Sequence, residues 1–247
     1  MTGLPDAAMV LAAGLGKRMR PITDTIPKPL VEIAGTPLID WGLDALAGAG
    51  VTKAVVNVHY LPDQLIAHLA GRKTPSIVIS DERDGLLDSG GGIARVLEEL
   101  GPSPFYVLNA DTFWIDAGEN NLRRLALAWR DGEMDILLMV ARLAQATGHS
   151  GGIDFLIDAG GRLTRARVAS ASAEGAGDGV IYAGAAIVHP RVFDGAPAGP
   201  HSLNVQFDKA LAADRLFGLE LEGDWITVGT PDAIAPAEAV VARSRPG

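Results

Sequence analysis

The sequence of 247 residues contains no cysteine, which excludes disulfides, thiolate nucleophiles and cysteine-based zinc sites. Positive charge is in short supply, because 21 Lys and Arg face 30 Asp and Glu and the net charge is −9. Affinity for nucleic acid comes from clustered Lys and Arg, so we expect no nucleic-acid partner. Long apolar runs are also lacking, and we expect neither a membrane span nor a membrane partner. A soluble, cytoplasmic protein is the resulting expectation.

What the sequence does contain, in its first half, is an alternation of apolar and amphipathic segments. The predicted strands are Met9–Gly14, Lys53–His59, Ser76–Ser80, Phe105–Leu108 and Asp135–Ala141. The predicted helices are Pro37–Ala49, Pro62–Ala70, Gly92–Leu100 and Asn121–Arg130. This alternation predicts an α/β fold with a doubly wound, mostly parallel, Rossmann-like sheet. Ligands of such sheets bind beyond the carboxyl ends of the strands.

After residue 142 the pattern changes to short strand-like segments joined by glycine-rich turns. The predicted elements are strands Gly151–Asp158, Leu163–Ala169 and Val180–Val188, helix Ser202–Ala213, strand Leu219–Val228 and helix Pro231–Arg243. The first three strands predict an antiparallel extension of the sheet, and Ala171–Gly179 is predicted to be a mobile loop. No hexapeptide repeat is present. We therefore expect one domain over residues 1–247, with parts of about 1–142 and 143–247.

The most informative segment is the glycine-rich, basic loop that follows the first predicted strand. It contains Gly14, Gly16, Lys17, Arg18, Arg20 and, between two prolines, Lys28. Glycines let backbone N–H groups approach an anion closely, and the cations neutralise it, so the loop predicts a phosphate site. Its spacing matches neither the P-loop nor the dinucleotide fingerprint. The alternative, an ordinary turn with surface cations, is disfavoured by the prolines on both sides of Lys28.

A carboxylate follows the predicted strand Phe105–Leu108, in the tripeptide Asn109-Ala110-Asp111. Mg²⁺ at nucleotide sites takes one or two carboxylates together with phosphate oxygens and water. Asp111 is therefore a candidate Mg²⁺ ligand, and helix capping is the alternative role for a lone aspartate.

Three consecutive glycines follow Ser89, in the segment Leu87–Ile93. Glycines at a helix start allow a flat ring or a ribose to lie close to the backbone. The alternative interpretation is a flexible turn that Ser89 caps.

The segment Asp224–Pro231 ends in Gly-Thr-Pro. Taken alone, it predicts a turn from a strand into a helix, with Thr230 as N-cap and Pro231 at the first helical position.

Together these four segments resemble the signature of the sugar-1-phosphate nucleotidyltransferases, also called nucleotide-sugar pyrophosphorylases. The resemblance runs from about Met9 to the last predicted helix. It implies an enzyme that joins a sugar 1-phosphate to a nucleoside triphosphate with Mg²⁺ as cofactor, and that releases pyrophosphate. Residues 1–142 would bind the nucleotide, and residues 143–247 would bind the sugar.

The resemblance also implies roles for individual residues. Arg18 and Lys28 would contact the transferring phosphates, and Asp111 would bind Mg²⁺. The residues expected to bind the nucleotide are Ala12, Ala13, Gly14, Gly16, Lys17, Ser89, Gly90 and Gly91. The residues expected to face the sugar are Asn109, Asp154, Gly184 and Asn204.

One position departs from the family pattern. The family motif typically reads Trp-x-Asp-x-Gly-Thr-Pro, its aspartate is the second metal ligand, and Thr227 stands at that position here. A neutral hydroxyl is a weaker Mg²⁺ ligand than a carboxylate. Asp224 lies three residues away, and odd spacing puts it on the opposite face of a strand. The departure keeps a non-catalytic sugar-nucleotide-binding or regulatory protein open as an alternative.

The substrates are open at this level. The compact chain and the segments Asp88–Ile93 and Ala185–Pro190 most resemble family members that act on N-acetylmuramate 1-phosphate with UTP. Mannose 1-phosphate with GTP is the close alternative, and cytidylyl transfer to a small alcohol phosphate is a third. We expect a monomer or a small homo-oligomer.

Overall fold

The computed structural model of the chain describes residues 4–166 and 178–244. Its strands are β1 (Ala7–Leu11), β2 (Glu32–Ile33), β3 (Thr36–Pro37), β4 (Lys53–Val58), β5 (Ser76–Asp81), β6 (Phe105–Asn109), β7 (Thr112–Asp116), β8 (Ile136–Ala141), β9 (Ala146–Thr147), β10 (Phe155–Ile157), β11 (Leu163–Arg165), β12 (Asp178–Val188), β13 (Leu216–Glu220) and β14 (Gly223–Thr227). Its helices are α1 (Leu38–Gly48), α2 (Pro62–Leu69), α3 (Asp88–Arg95), α4 (Leu97–Leu100), α5 (Asn121–Ala128), α6 (Asn204–Ala212) and α7 (Ile234–Ser244). None of these helices is long and apolar enough to span a bilayer.

The main sheet has nine strands within the described residues, and its central order is β5-β4-β1-β6-β12-β8-β13. Strands β5, β4, β1 and β6 run parallel to one another. The long strand β12 runs antiparallel to β6 and β8, and its first residues pair with β10, which pairs in turn with β11. The predicted doubly wound, mostly parallel sheet with an antiparallel extension is therefore confirmed.

Both faces of the central strands are buried, which explains why these segments are so apolar. Side chains alternate between the faces, so Ala8 and Val10 of β1 pack towards α1, α2 and α5. Ala7 and Met9 pack towards α3, α4 and α6 on the other face. The helices of the first half therefore cover the sheet on both sides, as their periodicity predicts.

A third apolar cluster fixes the basic loop to the rest of the molecule. It joins Met19 and Val31 of that loop to Phe113 of β7, Ile226 of β14 and Val240 of α7. Strands β7, β14 and β9 form a separate three-stranded sheet under this cluster. The loop is long, but its apolar residues are packed against the rest of the molecule, so the path of its backbone is fixed.

The predicted strand Leu219–Val228 is wrong, because the structure has two strands there in different sheets. Strand β13 pairs with β8, whereas β14 pairs with β7. The side-chain amide of Asn121 bonds to both the N–H and the C=O of Glu222, at 2.9 Å each, and so takes the place of a strand partner. Gly223 follows with φ +128°, a conformation that strongly favours glycine. These two features turn the chain between the sheets.

Two further predictions differ in detail. The predicted helix Gly92–Leu100 starts earlier, at Asp88, and is interrupted at Val96, so the three glycines lie within α3. Of the predicted mobile loop Ala171–Gly179, residues 171–177 lie outside the described residues, and the last two belong to β12.

One carboxylate ties the ends of several strands together. Asp135 precedes β8 and accepts hydrogen bonds from Nε of Arg191, at 2.6 Å, and from Nε of Arg215, at 2.8 Å. Burial opposes its charged form, but the two arginines outweigh burial and lower the pKa of Asp135 below its ordinary value. Its charged form therefore stabilises the fold above the unfolded-state pKa, near 3.9, and this contribution is lost as the pH falls through the folded-state pKa.

We expect Asp135→Asn to lower the free energy of unfolding by about 2 kcal/mol at pH 7, because the acceptor that two arginines share loses its negative charge. The difference from the wild type should shrink below about pH 4, where the wild-type carboxylate also loses its advantage. Urea unfolding between pH 7 and pH 3 measures both effects. Glu133→Gln is the control, since its pair with Arg130 is exposed at both side chains and should contribute little. A difference that does not change with pH would contradict the assignment.

Candidate active site

The basic loop begins where β1 ends, and local contacts determine its path. The N–H of Ala12 donates to Oδ1 of Asn57 at 2.7 Å. Gly16 has φ +60°, and a Cβ there would lie only 3.0 Å from Cγ2 of Thr23 and 3.1 Å from Cβ of Lys28. The hydroxyl of Thr23 donates to the carbonyl of Gly16 at 2.8 Å. Glycine at position 16 therefore allows the loop to close tightly, and this closure brings Lys28 beneath it.

Lys28 and Asp111 form an ion pair close to the carboxyl end of β6. Lys28 begins a 3₁₀ turn that Pro27 precedes, and its Nζ lies 2.6 Å from Oδ2 of Asp111. The lysine side chain is 11% exposed and the aspartate side chain is 37% exposed. A cation suited to phosphate and a carboxylate suited to a metal ion are thus in direct contact at the ends of neighbouring strands.

Arg18 and Lys17 are exposed and have no ion pair within the described part of the chain. The guanidinium of Arg18 lies over Gly229, with Nη1 3.5 Å from the point where a Cβ would stand. The first and fourth sequence motifs are therefore neighbours, and glycine at position 229 leaves room for the arginine.

The pairing of β14 with β7 determines where Thr227 lies. Thr227 pairs with Thr112, and the next N–H, that of Val228, donates to the carbonyl of Asp111 at 3.1 Å. Asp224 is exposed and pairs with Ile115, three positions or about 10 Å further along the strand. Thr227 is thus beside Asp111 along the backbone, and Asp224 is too far along β14 to replace it.

Few of the described side chains near Asp111 could act as metal ligands. The described residues contain no group of three or more His, Asp or Glu side chains that could hold a metal ion. Mg²⁺ keeps several waters and binds through one or two carboxylates plus substrate phosphates. The single carboxylate of Asp111 therefore fits an ion that also binds nucleotide phosphates, and it does not form a complete metal site alone.

The turn after Thr227 differs slightly from its prediction. Thr230 holds the N-cap position, but its side chain makes no capping hydrogen bond. Pro231–Ala233 forms a 3₁₀ turn, and α7 begins only at Ile234.

Two adjoining cavities lie beyond the carboxyl ends of β1 and β6. The first, which we call the nucleotide-side cavity, has a volume of about 250 Å³ and is lined by Leu11, Ala13, Gly14, Asn57, Leu86, Asp88, Ser89, Asn109 and Asp111. The second, the sugar-side cavity, has a volume of about 290 Å³ and is lined by Leu11, Ser89, Asn109, Asp154, Phe155, Arg165, Tyr182, Ser202, Leu203, Asn204 and Phe207. Leu11, Ser89 and Asn109 line both, so the two cavities form one cleft. A larger groove of about 740 Å³ beside Phe217 contains none of the predicted site residues.

The three glycines of α3 have a packing role that the sequence does not reveal. The N–H groups of Gly90 and Gly91 donate to the carbonyl of His201, at 2.8 and 3.0 Å. A Cβ at Gly90 would lie 2.5 Å from Cδ2 of His201, and one at Gly91 would lie 2.6 Å from the carbonyl oxygen of Gly199. These two glycines therefore let α3 approach the segment 199–201, and their N–H groups already have acceptors. Their predicted contact with the base and ribose gains no support from this geometry.

The four predicted sugar-facing residues divide into two groups. Asn109, Asp154 and Asn204 line the sugar-side cavity. Gly184 does not line it; its φ is +81°, and a Cβ there would lie 2.2 Å from Oγ1 of Thr112. Gly184 therefore allows β12 to approach β7 closely, next to Asn109.

Two buried polar residues, Asn57 and Glu82, link the loop to α3, and the sequence analysis missed both. Asn57 is 2% exposed, and its Nδ2 donates to Oε1 of Glu82 at 2.9 Å. Glu82 is 1% exposed, and its Oε2 accepts the N–H of Leu87 at 3.0 Å. A polar residue inside the apolar strand Lys53–Val58 is the signal that could have revealed this connection.

Tyr182 and Arg165 also escaped prediction, and both line the sugar-side cavity. The hydroxyl of Tyr182 is buried and has no hydrogen-bond partner among the described residues. Burial raises the pKa of Tyr182, and the negative charge of Asp111 adds to the effect, so the hydroxyl keeps its proton and can donate it.

The packing role of α3 leads to a test of stability. Alanine normally stabilises a helix relative to glycine, by up to about 1 kcal/mol. We expect Gly90→Ala to destabilise the protein instead, by about 2 kcal/mol, because the added methyl group overlaps His201. Urea unfolding measures the change, and Gly118→Ala, where no atom lies within 4 Å of the new methyl group, is the control. Unchanged stability in Gly90→Ala would contradict the packing role.

Comparison with known proteins agrees with this geometry. The family model described as the MobA-like NTP transferase domain matches residues 8–190. The chain is 43% identical to the N-acetylmuramate alpha-1-phosphate uridylyltransferase of Caulobacter vibrioides, over 99% of this chain and 100% of that protein. It is 34% identical to the protein of the same name from Neisseria meningitidis serogroup B, over 94% and 97% of the two chains.

The fold agrees as well. The structure of the inositol-1-phosphate CTP transferase from T. maritima superposes with a TM-score of 0.74, at 17% identity, and covers 100% of this chain and 99% of that one. The resemblance to nucleotidyltransferases is thus confirmed, and the chain belongs to the family of MobA-like NTP transferase domains.

Proposed function

We propose that the protein transfers the uridylyl group of UTP to N-acetylmuramate 1-phosphate and releases pyrophosphate. The observation that carries the reaction class is the Lys28–Asp111 pair beside a cleft with a nucleotide side and a sugar side. The choice of substrates is supported by the two uridylyltransferases that the chain matches over nearly its full length. N-acetylmuramate is a cell-wall sugar, so we also propose a cytoplasmic role in the recycling of such sugars.

The proposed reaction is an in-line displacement at phosphorus. An oxygen of the sugar phosphate attacks the α-phosphorus of UTP and forms a new P–O bond. The bond from the α-phosphorus to the oxygen bridging to the β-phosphate breaks, and pyrophosphate leaves with the electron pair. The attacking oxygen is already anionic and needs no general base, so the protein contributes positioning and charge stabilisation.

The residues around the cleft fit these tasks. Lys28 would stabilise the negative charge at the attacked phosphate and the incoming sugar phosphate. Arg18, exposed and without an ion pair among the described residues, would neutralise the leaving pyrophosphate. Asp111 would hold Mg²⁺, which when bound supplies further charge neutralisation at the phosphate oxygens. Ala12–Gly16 and Lys17 would enclose the triphosphate.

Phosphate and metal would compete with the Lys28–Asp111 pair in this chemistry. In the free protein the two side chains neutralise each other at 2.6 Å. Each has a better partner in the bound state, because the phosphates attract the lysine and the metal ion attracts the aspartate. Binding of phosphate and binding of metal therefore favour each other at this site.

A non-catalytic sugar-nucleotide-binding protein is the second candidate, and Thr227 is the observation that favours it. Pyrophosphate release tests the two against each other, with UTP, GTP and CTP each combined with N-acetylmuramate 1-phosphate, mannose 1-phosphate and a small alcohol phosphate. The proposed function requires Mg²⁺-dependent release with UTP and N-acetylmuramate 1-phosphate. Release only with GTP and mannose 1-phosphate would reassign the substrates, and nucleotide binding without any release would favour the binding protein.

We expect Lys28→Ala to lower turnover by roughly two to three orders of magnitude, as expected for the loss of one preorganised charge donor. In this variant the carboxylate of Asp111 loses its partner, but its side chain is 37% exposed and water can solvate it, so the variant should fold. Lys73→Ala, an exposed position away from the cleft, is the control. Near-normal turnover in Lys28→Ala would remove this lysine from the mechanism. Calorimetry provides a second measurement, in which Mn²⁺ without nucleotide should bind the variant more tightly because no ammonium competes for Asp111.

Thr227→Asp tests whether this position belongs to the metal site. A second carboxylate beside Asp111 should lower the Mg²⁺ concentration that gives half-maximal activity by about tenfold, or about 1.4 kcal/mol. Calorimetric titration with Mn²⁺ gives the same comparison without catalysis. Asp224→Asn is the control and should leave the metal dependence unchanged. If Thr227→Asp behaves like the wild type in both measurements, position 227 lies outside the metal site.

A further inference from the structure

The sugar-side cavity contains an unexpected cation for a pocket that would hold a sugar. Arg165 is the cationic side chain among the described residues that line it, and Asp154 is the acidic one. Hydroxyl and amide groups of a neutral sugar need no full positive charge. A guanidinium that loses part of its water at a ligand site is stabilised best by an anion.

Neighbouring side chains hold Arg165 in one orientation. Its Nε and Nη2 donate to Oδ1 of Asp208, at 3.1 and 2.8 Å, and its Nη2 also donates to Oδ1 of Asn204 at 2.9 Å. Its guanidinium carbon lies 4.8 Å from the centroid of the Phe155 ring. The Asp208 side chain is 65% exposed, against 27% for the side chain of Arg165. Nη1 makes no hydrogen bond to a described residue and has two N–H donors to offer.

The position of Arg165 separates it from the phosphates. Ser89 and Asn109 line both cavities and mark the side where nucleotide and sugar would meet. Arg165 lines only the sugar-side cavity, whereas Lys28 and Asp111 are not in its lining. Arg165 is therefore placed to meet a substituent of the sugar ring and not the phosphates beside Lys28.

A second observation independently indicates a polar ligand in the same cavity. The hydroxyl of Tyr182 is buried without a partner, and its ring packs edge-on against Phe207 at 5.5 Å between centroids. Buried hydroxyls in native proteins nearly always have a hydrogen-bond partner, and this one has none among the described residues although Tyr182 lines the cavity. Asp154 is partly satisfied, since its Oδ2 accepts the N–H of Tyr182 at 3.0 Å.

We infer that Arg165 binds a carboxylate on the sugar and thereby selects an acidic sugar 1-phosphate over a neutral one. N-acetylmuramate carries such a group on its lactyl ether, and N-acetylglucosamine is the same amino sugar without it. Tyr182 donates its hydroxyl to the same sugar, and Asp154 accepts from one of its N–H or O–H groups. This assignment rests on the proposed uridylyl transfer to a sugar 1-phosphate, and it adds which feature of the sugar is recognised.

The test compares the two sugars in wild-type protein and in Arg165→Gln, with UTP and Mg²⁺. We expect kcat/KM for N-acetylmuramate 1-phosphate to fall roughly 30- to 100-fold, mainly through KM, because one charge-assisted contact from Nη1 of Arg165 is lost. The kcat/KM for N-acetylglucosamine 1-phosphate and the KM for UTP should stay within about threefold of wild type. Arg162→Gln is the matched control, because Arg162 is exposed in the same segment, lines neither cavity and lies over Phe217.

Asp208→Asn keeps the arginine and removes the carboxylate that partly neutralises it. The affinity of this variant for N-acetylmuramate 1-phosphate should be equal to or higher than that of the wild type, which a general structural defect would not produce.

An equal loss for both sugars in Arg165→Gln would overturn the inference, and so would an unchanged preference for the acidic sugar.

Calorimetric binding of N-acetylmuramate 1-phosphate separates this inference from the proposed function. Binding that depends on Arg165 without any uridylyl transfer would contradict the proposed function and support the role of Arg165. Uridylyl transfer to N-acetylmuramate 1-phosphate that is unchanged in Arg165→Gln would support the proposed function and contradict the role of Arg165.

Discussion

The parallel pairing of β1 with β6 is the constraint on which the rest of the site depends. In this pairing Leu11 lies opposite Asn109, so the carboxyl ends of the two strands meet at one edge of the sheet. Both loops that leave this edge carry charge, and Lys28 meets Asp111 at 2.6 Å although 83 positions separate them in the chain. A shift of either strand would separate the cation from the carboxylate, and the cleft would lose its chemistry.

Hydrogen bonds and packing contacts around this edge connect the two sides of the cleft. The buried pair of Asn57 and Glu82 joins the backbone of the basic loop to the residue before α3. Helix α3 is bonded in turn to the segment around His201, and the hydroxyl of Ser89 accepts the N–H of Leu203 at 2.9 Å. Since Ser89 lines both cavities, a change on the nucleotide side has a direct route of packed and hydrogen-bonded groups to the sugar side.

Few of the described side chains that line this cleft are charged. Two described carboxylates, Asp88 and Asp111, line the nucleotide side, and the neutral Thr227 lies beside Asp111 along the backbone. Metal and phosphate then depend on each other, because neither finds a complete set of partners in the protein alone. On the sugar side, Asp208 orients Arg165 by hydrogen bonds, and the guanidinium lies over the ring of Phe155. A positive charge is therefore available there without a large reorganisation on binding.

The sequence by itself indicated the fold class and located the basic loop and Asp111, because apolar periodicity, glycine and charge act over short stretches of chain, and the family followed from the resemblance of four motifs to a known signature. It also indicated that Thr227 departs from the family motif. The tertiary structure alone decided that Gly90 packs against His201 and that Gly184 packs against Thr112. It also brought Arg165 into the sugar-side cavity. Each of these depends on contacts between segments far apart in the chain, and their pairing follows from strand order and register, which no local pattern encodes.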